Sequence, residues 1–153
     1  MERSFKDVLP LAPLQEGLLF HAIYDEESPD VYIVQITLEL EGPLDTPRLK
    51  QAANTLLQRH PHLTAAFLTR PHNPPLQIIP THTTLPFTEH NLTHHNPTTR
   101  QHHTQTILHH TRTQRFTMHK PPLLKYTLIH QTPTHHTLTL TIHHILIDGW
   151  SLP

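Results

Sequence analysis

The chain has 153 residues, enough for one domain that buries roughly two-thirds of its unfolded surface. Lys+Arg 11 against Asp+Glu 12 leaves a formal charge of −1, so no basic field points to nucleic acid, and no apolar run reaches the ~18 residues of a membrane span. Cys 0 excludes disulfides, thiolate metal sites and a cysteine nucleophile, and Gly 3 leaves almost no room for a phosphate-cradling loop.

Residues 9–24 read as a short extended lead-in and then a helix, with Pro13 suited to a first helical position. Leu14, Leu18 and Ala22, with Leu19 and Ile23, form its apolar stripe. Val31–Glu41 is a predicted strand, with Ile36, Leu38 and Leu40 on one face and Gly42-Pro43 ending it. Thr46-Pro47 offers an N-cap and a first-turn proline. Behind it Leu49, Ala52, Ala53, Leu56, Leu57 and His60 share one helical face. Residues 63–92 predict short strands interrupted by prolines, with Gln77-Ile78-Ile79 as the central piece. Asn96-Pro97 caps a helix running to about Arg115, mostly exposed because Ile107 and Leu108 are its only strongly apolar residues. Leu123–His130 and His135–Ile142 read as a hairpin turning at Thr132-Pro133-Thr134.

In the last strand Leu138, Leu140 and Ile142 alternate with Thr139 and Thr141, the pattern of one buried face. The strand runs into His143-His144, and Ile145-Leu146-Ile147 leads on to Asp148-Gly149, a turn signal. An imidazole able to take a proton near neutrality therefore stands where a rigid strand gives way to a loop. The pair alone carries little weight, because the chain holds His 18 in all and four other adjacent pairs. Its spacing to Asp148-Gly149-Trp150-Ser151 sets it apart.

His-His-x-x-x-Asp-Gly resembles the active-site motif of the condensation domains of nonribosomal peptide synthetases, in the chloramphenicol acetyltransferase-like superfamily. The resemblance makes His144 the catalytic residue, with His143 and Asp148 shaping the loop and Gly149 letting backbone approach the reacting centre. Two further segments agree in order. Pro10-Leu11-Ala12-Pro13-Leu14-Gln15-Glu16-Gly17-Leu18-Leu19-Phe20-His21 is similar to the family's first motif, in the form that accepts a donor ending in a D-residue. Arg59-His60-Pro61-His62-Leu63-Thr64-Ala65-Ala66-Phe67 is similar to the second, but has Thr64 where the family carries an arginine, a partner for the motif aspartate. Arg59, or an arginine elsewhere, would then have to serve Asp148, against the plainer role of Arg59 as a helix C-terminal charge. Phe116–Lys125 also resembles a family segment, with Thr117 in place of an aspartate.

The resemblance implies an α/β sandwich with a mixed sheet: the N-terminal half of a condensation domain, with the C-terminal half absent. It implies peptide-bond formation between substrates on two carrier proteins, donor upstream and acceptor downstream. His144 would take the amine's proton or position the amine. Their phosphopantetheine arms and a neighbouring adenylation domain are implied too, with no cofactor or metal on this chain. A cytoplasmic location is expected, since Met1–Asp7 has no apolar signal-peptide core. With one wall of the reaction tunnel missing, the chain by itself is expected to be inactive. Trp150 and Leu152, continuing into a missing partner half, would favour self-association.

Two rivals remain. A catalytically silent condensation-like recruitment module should carry a damaged motif, and here His144, Asp148 and Gly149 all stand. A histidine-rich metal domain could use His95, His102 and His109, but a spacing of seven puts them about 10 Å apart along a helix, too far for one ion.

Overall fold

Two small sheets meet at the end of one strand. The computed structural model describes residues 4–24, 28–149 and 151. In chain order the elements are β1 (Phe5–Pro10), α1 (Pro13–Tyr24), β2 (Ile33–Glu41), α2 (Thr46–Arg59) and a 3-10 turn (Pro61–Thr64). There follow β3 (Ala66–Arg70), β4 (Asn73–Pro80), β5 (Phe87–Asn91), α3 (Pro97–Thr113), β6 (Leu124–Thr132) and β7 (His135–His143). The smaller sheet has the order β1-β4-β3, the larger β2-β7-β6-β5. The larger is mixed: β5 runs parallel to β6, and the other pairs are antiparallel. This is the α/β sandwich with a mixed sheet that the resemblance implies, built around two sheets rather than one.

The smaller sheet follows from the prolines. Gln77-Ile78-Ile79 lies in its central strand, as predicted, and β1 pairs with β4 only from Leu76 onward, beyond Pro74 and Pro75. Residues that cannot donate to a ladder thus fall outside the two-sided part. The lead-in before α1 is the strand β1, which its mostly exposed residues did not announce.

In the larger sheet β7 is an inner strand, flanked by β2 and β6. Its apolar face packs on α2: Leu124, Ile142 and Leu85 are buried with Ala53 and Leu57, each large side chain contributing about 1.5–3 kcal/mol. The threonine face is buried as well, with Thr137, Thr139 and Thr141 at 0% exposure, which corrects the one-faced reading. Hydroxyls tolerate burial when bonded. Gln35 of β2 reaches Thr141 Oγ1 (3.2 Å), the Leu108 carbonyl (3.1 Å) and Thr111 Oγ1 (3.0 Å), which brings α3 onto this face. Thr137 donates to Glu39, and Thr37 bonds Thr139. Helix α3 is capped by Asn96 and has no buried residue, as its composition predicts.

Two helix readings shift. The N-cap of α2 is Asp45, whose carboxylate accepts from Arg48 N–H at 3.0 Å, so Thr46 is already helical. Of the stripe on α2 only Ala53 and Leu57 are buried. On α1 Leu18, Leu19 and Ala22 face inward, while Leu14 and Ile23 join Phe20 and Tyr24 on the exposed side. That inner face closes a core with Ala65, Phe67, Ile79, Met118, Leu123 and Ile145. The end of β7 and the turn after it thus belong to both cores: Ile142 to one, Ile145 to the other, and Leu146 to each.

Candidate active site

Strand β7 ends at His143, and His144 opens the turn that follows, as predicted. The two adjacent rings have different surroundings. His143 is completely buried. Its Nδ1 accepts from the Ile145 N–H (3.0 Å), so the ring proton sits on Nε2 and is donated to Asp30 Oδ2 at 3.1 Å. The other oxygen, Asp30 Oδ1, accepts from the Tyr32 N–H (3.0 Å), and the Tyr32 carbonyl accepts from the His144 N–H (2.8 Å). Burial works against the charge on Asp30, but the hydrogen bonds from His143 and Tyr32, with the Arg115 charge nearby, outweigh it and hold the carboxyl below its ordinary range. Arg115 itself donates to the Ala22 carbonyl (2.8 Å) and to that of Ser28, two residues before Asp30.

His144 is half-buried. Its Nδ1 is shut away from solvent without a hydrogen-bond partner among the described residues, a condition that costs about 1–3 kcal/mol and calls for a reason. The residue borders an open cleft of about 310 Å³ formed by Ala12, Leu14, Gln15 and Leu18 against residues 144–148 and Ser151. Gln15 ties the two walls together: its Nε2 donates to the Ile145 carbonyl (3.1 Å), while its Oε1 accepts from the Ala12 N–H (3.0 Å). A larger, mostly apolar cavity of about 560 Å³ lies across the same loop, lined by Arg59, His60 and residues of α2, β6 and β7. Leu146, Ile147 and Ser151 border both spaces, but His144 opens only on the smaller.

The remaining motif residues lie close by. Asp148 is exposed and accepts from Ser151 Oγ at 2.7 Å. Arg59 ends α2, exposed, and its side chain forms no hydrogen bond or ion pair among the described residues. Thr64, in the position of the family arginine, is buried and turns its hydroxyl to the Pro61 carbonyl (2.7 Å). A Cβ added at Gly149 would meet no atom within 4 Å, so no described residue crowds it. Trp150, Leu152 and Pro153 lie outside the described residues.

A family model described as "Condensation domain" matches residues 5–153. The chain belongs to the condensation-domain family. A linear gramicidin synthase protein of Brevibacillus parabrevis is 35% identical over 149 residues, covering 94% of this chain and 3% of that protein. Bacitracin synthase 3 of Bacillus licheniformis is 31% identical over 149 residues, 97% of this chain and 2% of its own length. Among solved structures, a variant of the starter condensation domain of rhizomide synthetase matches with TM-score 0.84 at 20% identity, over 95% of this chain and 34% of that one. The first condensation domain of the calcium-dependent antibiotic synthetase, in complex with a substrate analogue, matches with TM-score 0.83 at 23% identity, over 94% and 34%. The chain thus spans about a third of the solved domains and a few per cent of the curated synthases.

For a condensation domain the motif reading singled out His143, His144, Asp148, Gly149 and Arg59. It missed Asp30 and Gln15. Gln15 stood inside the first motif, where only its polarity among apolar residues set it apart. Asp30 carried one faint signal, an acidic residue just ahead of the apolar start of a strand. No three or more His, Cys, Asp or Glu among the described residues are arranged to hold a metal ion, and no described helix is long and apolar enough to cross a membrane.

Proposed function

We propose that this chain is the N-terminal subdomain of a condensation domain joining a carrier-bound donor acyl or peptidyl thioester to a carrier-bound aminoacyl acceptor, with His144 at the reacting centre. The placement of His144 carries the reading. It stands in the turn after a buried strand, with its neighbours' backbone tied down and one ring nitrogen closed off, so that Nε2 is the nitrogen a substrate in the cleft would meet. In the reaction the acceptor's amine attacks the donor's thioester carbonyl, a C–N bond forms and the C–S bond breaks. The amine's proton leaves and the donor's phosphopantetheine thiol is released. His144 takes that proton or holds the amine in line for attack.

His143, Asp148 and Gly149 serve the shape of the loop, and Arg59 is the motif cation on the cavity side. The phosphopantetheine arms arrive on the partner carrier proteins, which an adenylation domain loads, and a cytoplasmic setting suits this chemistry. Solved relatives are about three times as long as this chain, so the wall facing His144 is assigned to the C-terminal half of the domain. Reacting atoms must be held about 3–3.5 Å apart, and one wall cannot do that for two tethered substrates. The 153-residue chain alone is therefore proposed to be inactive.

The test is peptide formation by the full-length protein with loaded donor and acceptor carriers. His144→Ala is expected to lose about 10²–10⁴-fold in rate while remaining folded; wild-type turnover would refute the reading. The first-motif form around Gln15-Glu16-Gly17 supports a donor ending in a D-residue. Matched L- and D-donors on the upstream carrier test this, and faster product formation from the L-donor would overturn it.

A further inference from the structure

We propose that Asp30 is a positioning residue for the reaction, fixing the backbone around His144 through His143 and Tyr32. The inference rests on the reading of His144 as the catalytic group.

The geometry forms a closed circuit. One carboxylate oxygen of Asp30 takes the Tyr32 N–H, and the Tyr32 carbonyl takes the His144 N–H. The other oxygen takes the His143 Nε2–H, and His143 Nδ1 takes the Ile145 N–H. The peptide groups before and after His144 are thus both anchored, by two routes, to the same acidic side chain. The Asp30 and His143 side chains are 2% and 0% exposed, so water does not compete for these bonds.

The circuit works only with one tautomer. His143 must carry its proton on Nε2, because Nδ1 is needed as an acceptor for Ile145. A carboxylate opposite Nε2 selects that tautomer, having no hydrogen of its own to offer. If Asp30 presented a donor instead, His143 would be drawn to the other tautomer. Its Nδ1–H would then face the Ile145 N–H, two donors in contact. The Ile145 peptide would have to move, and with it the turn that aims His144. Arg115, pinned to the Ala22 and Ser28 carbonyls, supports the carboxylate from the chain side and keeps Asp30 in reach.

The replacement Asp30→Asn tests this in the full-length protein, since it keeps the shape and an acceptor for Tyr32 while placing an amide donor against His143. Peptide formation with loaded carriers should show kcat lower by about 10- to 100-fold with KM for both carriers unchanged. The companion readout is the ring nitrogen spectrum of [15N]histidine-labelled protein, with His143 assigned by difference from His143→Gln. Wild type should show His143 protonated at Nε2, and Asp30→Asn should move the proton to Nδ1. Should Asp30→Asn fail to fold, the wild-type tautomer still decides: protonation at Nδ1 would overturn the proposal. So would a folded Asp30→Asn with wild-type kcat, or one losing kcat with the His143 tautomer unchanged. His144→Ala, assayed alongside, separates the two readings. If it loses activity while Asp30→Asn does not, the positioning role falls and the catalytic assignment stands. If it keeps wild-type turnover, both fall.

Discussion

Strand β7 starts on one histidine pair and runs out into another, and the two pairs are held by different chemistry. At the start, His136 Nδ1 lies 2.8 Å from His130 Nδ1, His130 Nε2 lies 2.7 Å from Glu89, and His135 pairs with Glu39 at 3.0 Å. At the finish, His143 is bonded to a buried carboxylate and a backbone N–H. One end is a chain of titratable side chains, partly open to water. The other fixes main chain. A side-chain network responds to pH, whereas one that terminates on peptide groups defines a geometry. The same residue type in the same strand is thus used once as surface chemistry and once as scaffold.

The contrast can be broken by substitution. The largest stability effect is expected from His143→Ala, which leaves Asp30 buried with half its partners and opens a void, at a cost of about 3–5 kcal/mol read from the denaturant midpoint. At the far end, His130→Ala removes hydrogen bonds to a buried histidine and an exposed glutamate and should cost about 1–2 kcal/mol. A cost equal to that of His143→Ala would erase the distinction.

A smaller effect comes from acid, and its sign differs between groups. Burial, then the neighbouring His130, lowers the pKa of His136, against a smaller pull from the Gly42 backbone. A histidine with a depressed folded pKa binds its proton more readily when unfolded. It therefore destabilises the fold as pH drops below its ordinary value of about 6.5. Asp30 and Glu89, Glu89 through its hydrogen bond from His130, have lowered pKa values. Their contributions are present above about pH 4 and lost as pH falls through their folded values. Amide exchange, corrected for intrinsic rates, should thus show residues 130–136 loosening between pH 7 and pH 5.5 (about one unit below the ordinary value) while residues 143–145 hold. Earlier loosening at the motif end would contradict the contrast. The smallest change is expected from His135→Ala, whose pairing with a half-exposed Glu39 is worth no more than about 1 kcal/mol in melting experiments.

Much of this architecture was legible because it is local. The hairpin of β6 and β7, the exposed α3 and the motif turn follow from alternation, capping and turn residues within short windows. The failures are equally physical. Thr139 and Thr141 read as solvent-facing because a hydroxyl is polar, yet Gln35 and α3, distant in sequence, cover them. Leu14 and Ile23 read as core because they are apolar, but among the described residues the buried face of α1 is that of Leu18, Leu19 and Ala22, and Leu14 and Ile23 lie off it. His144 was found through its spacing to Asp148. Asp30 was not, since its partner lies elsewhere in the chain and no period links them.

That separation bears on how the protein is made. Asp30 and His143 stand 113 positions apart, and among the described residues β2 pairs in the larger sheet with β7 alone. A ribosome adding about 5–20 residues per second needs roughly 6–23 s to bridge that gap. For most of that interval Leu18, Leu19 and Ala22 lack Leu123, and throughout it they lack Ile145, both of which complete their core. The start of the chain is therefore an obligate waiting partner, open to holdase chaperones and to wrong pairings until β7 emerges.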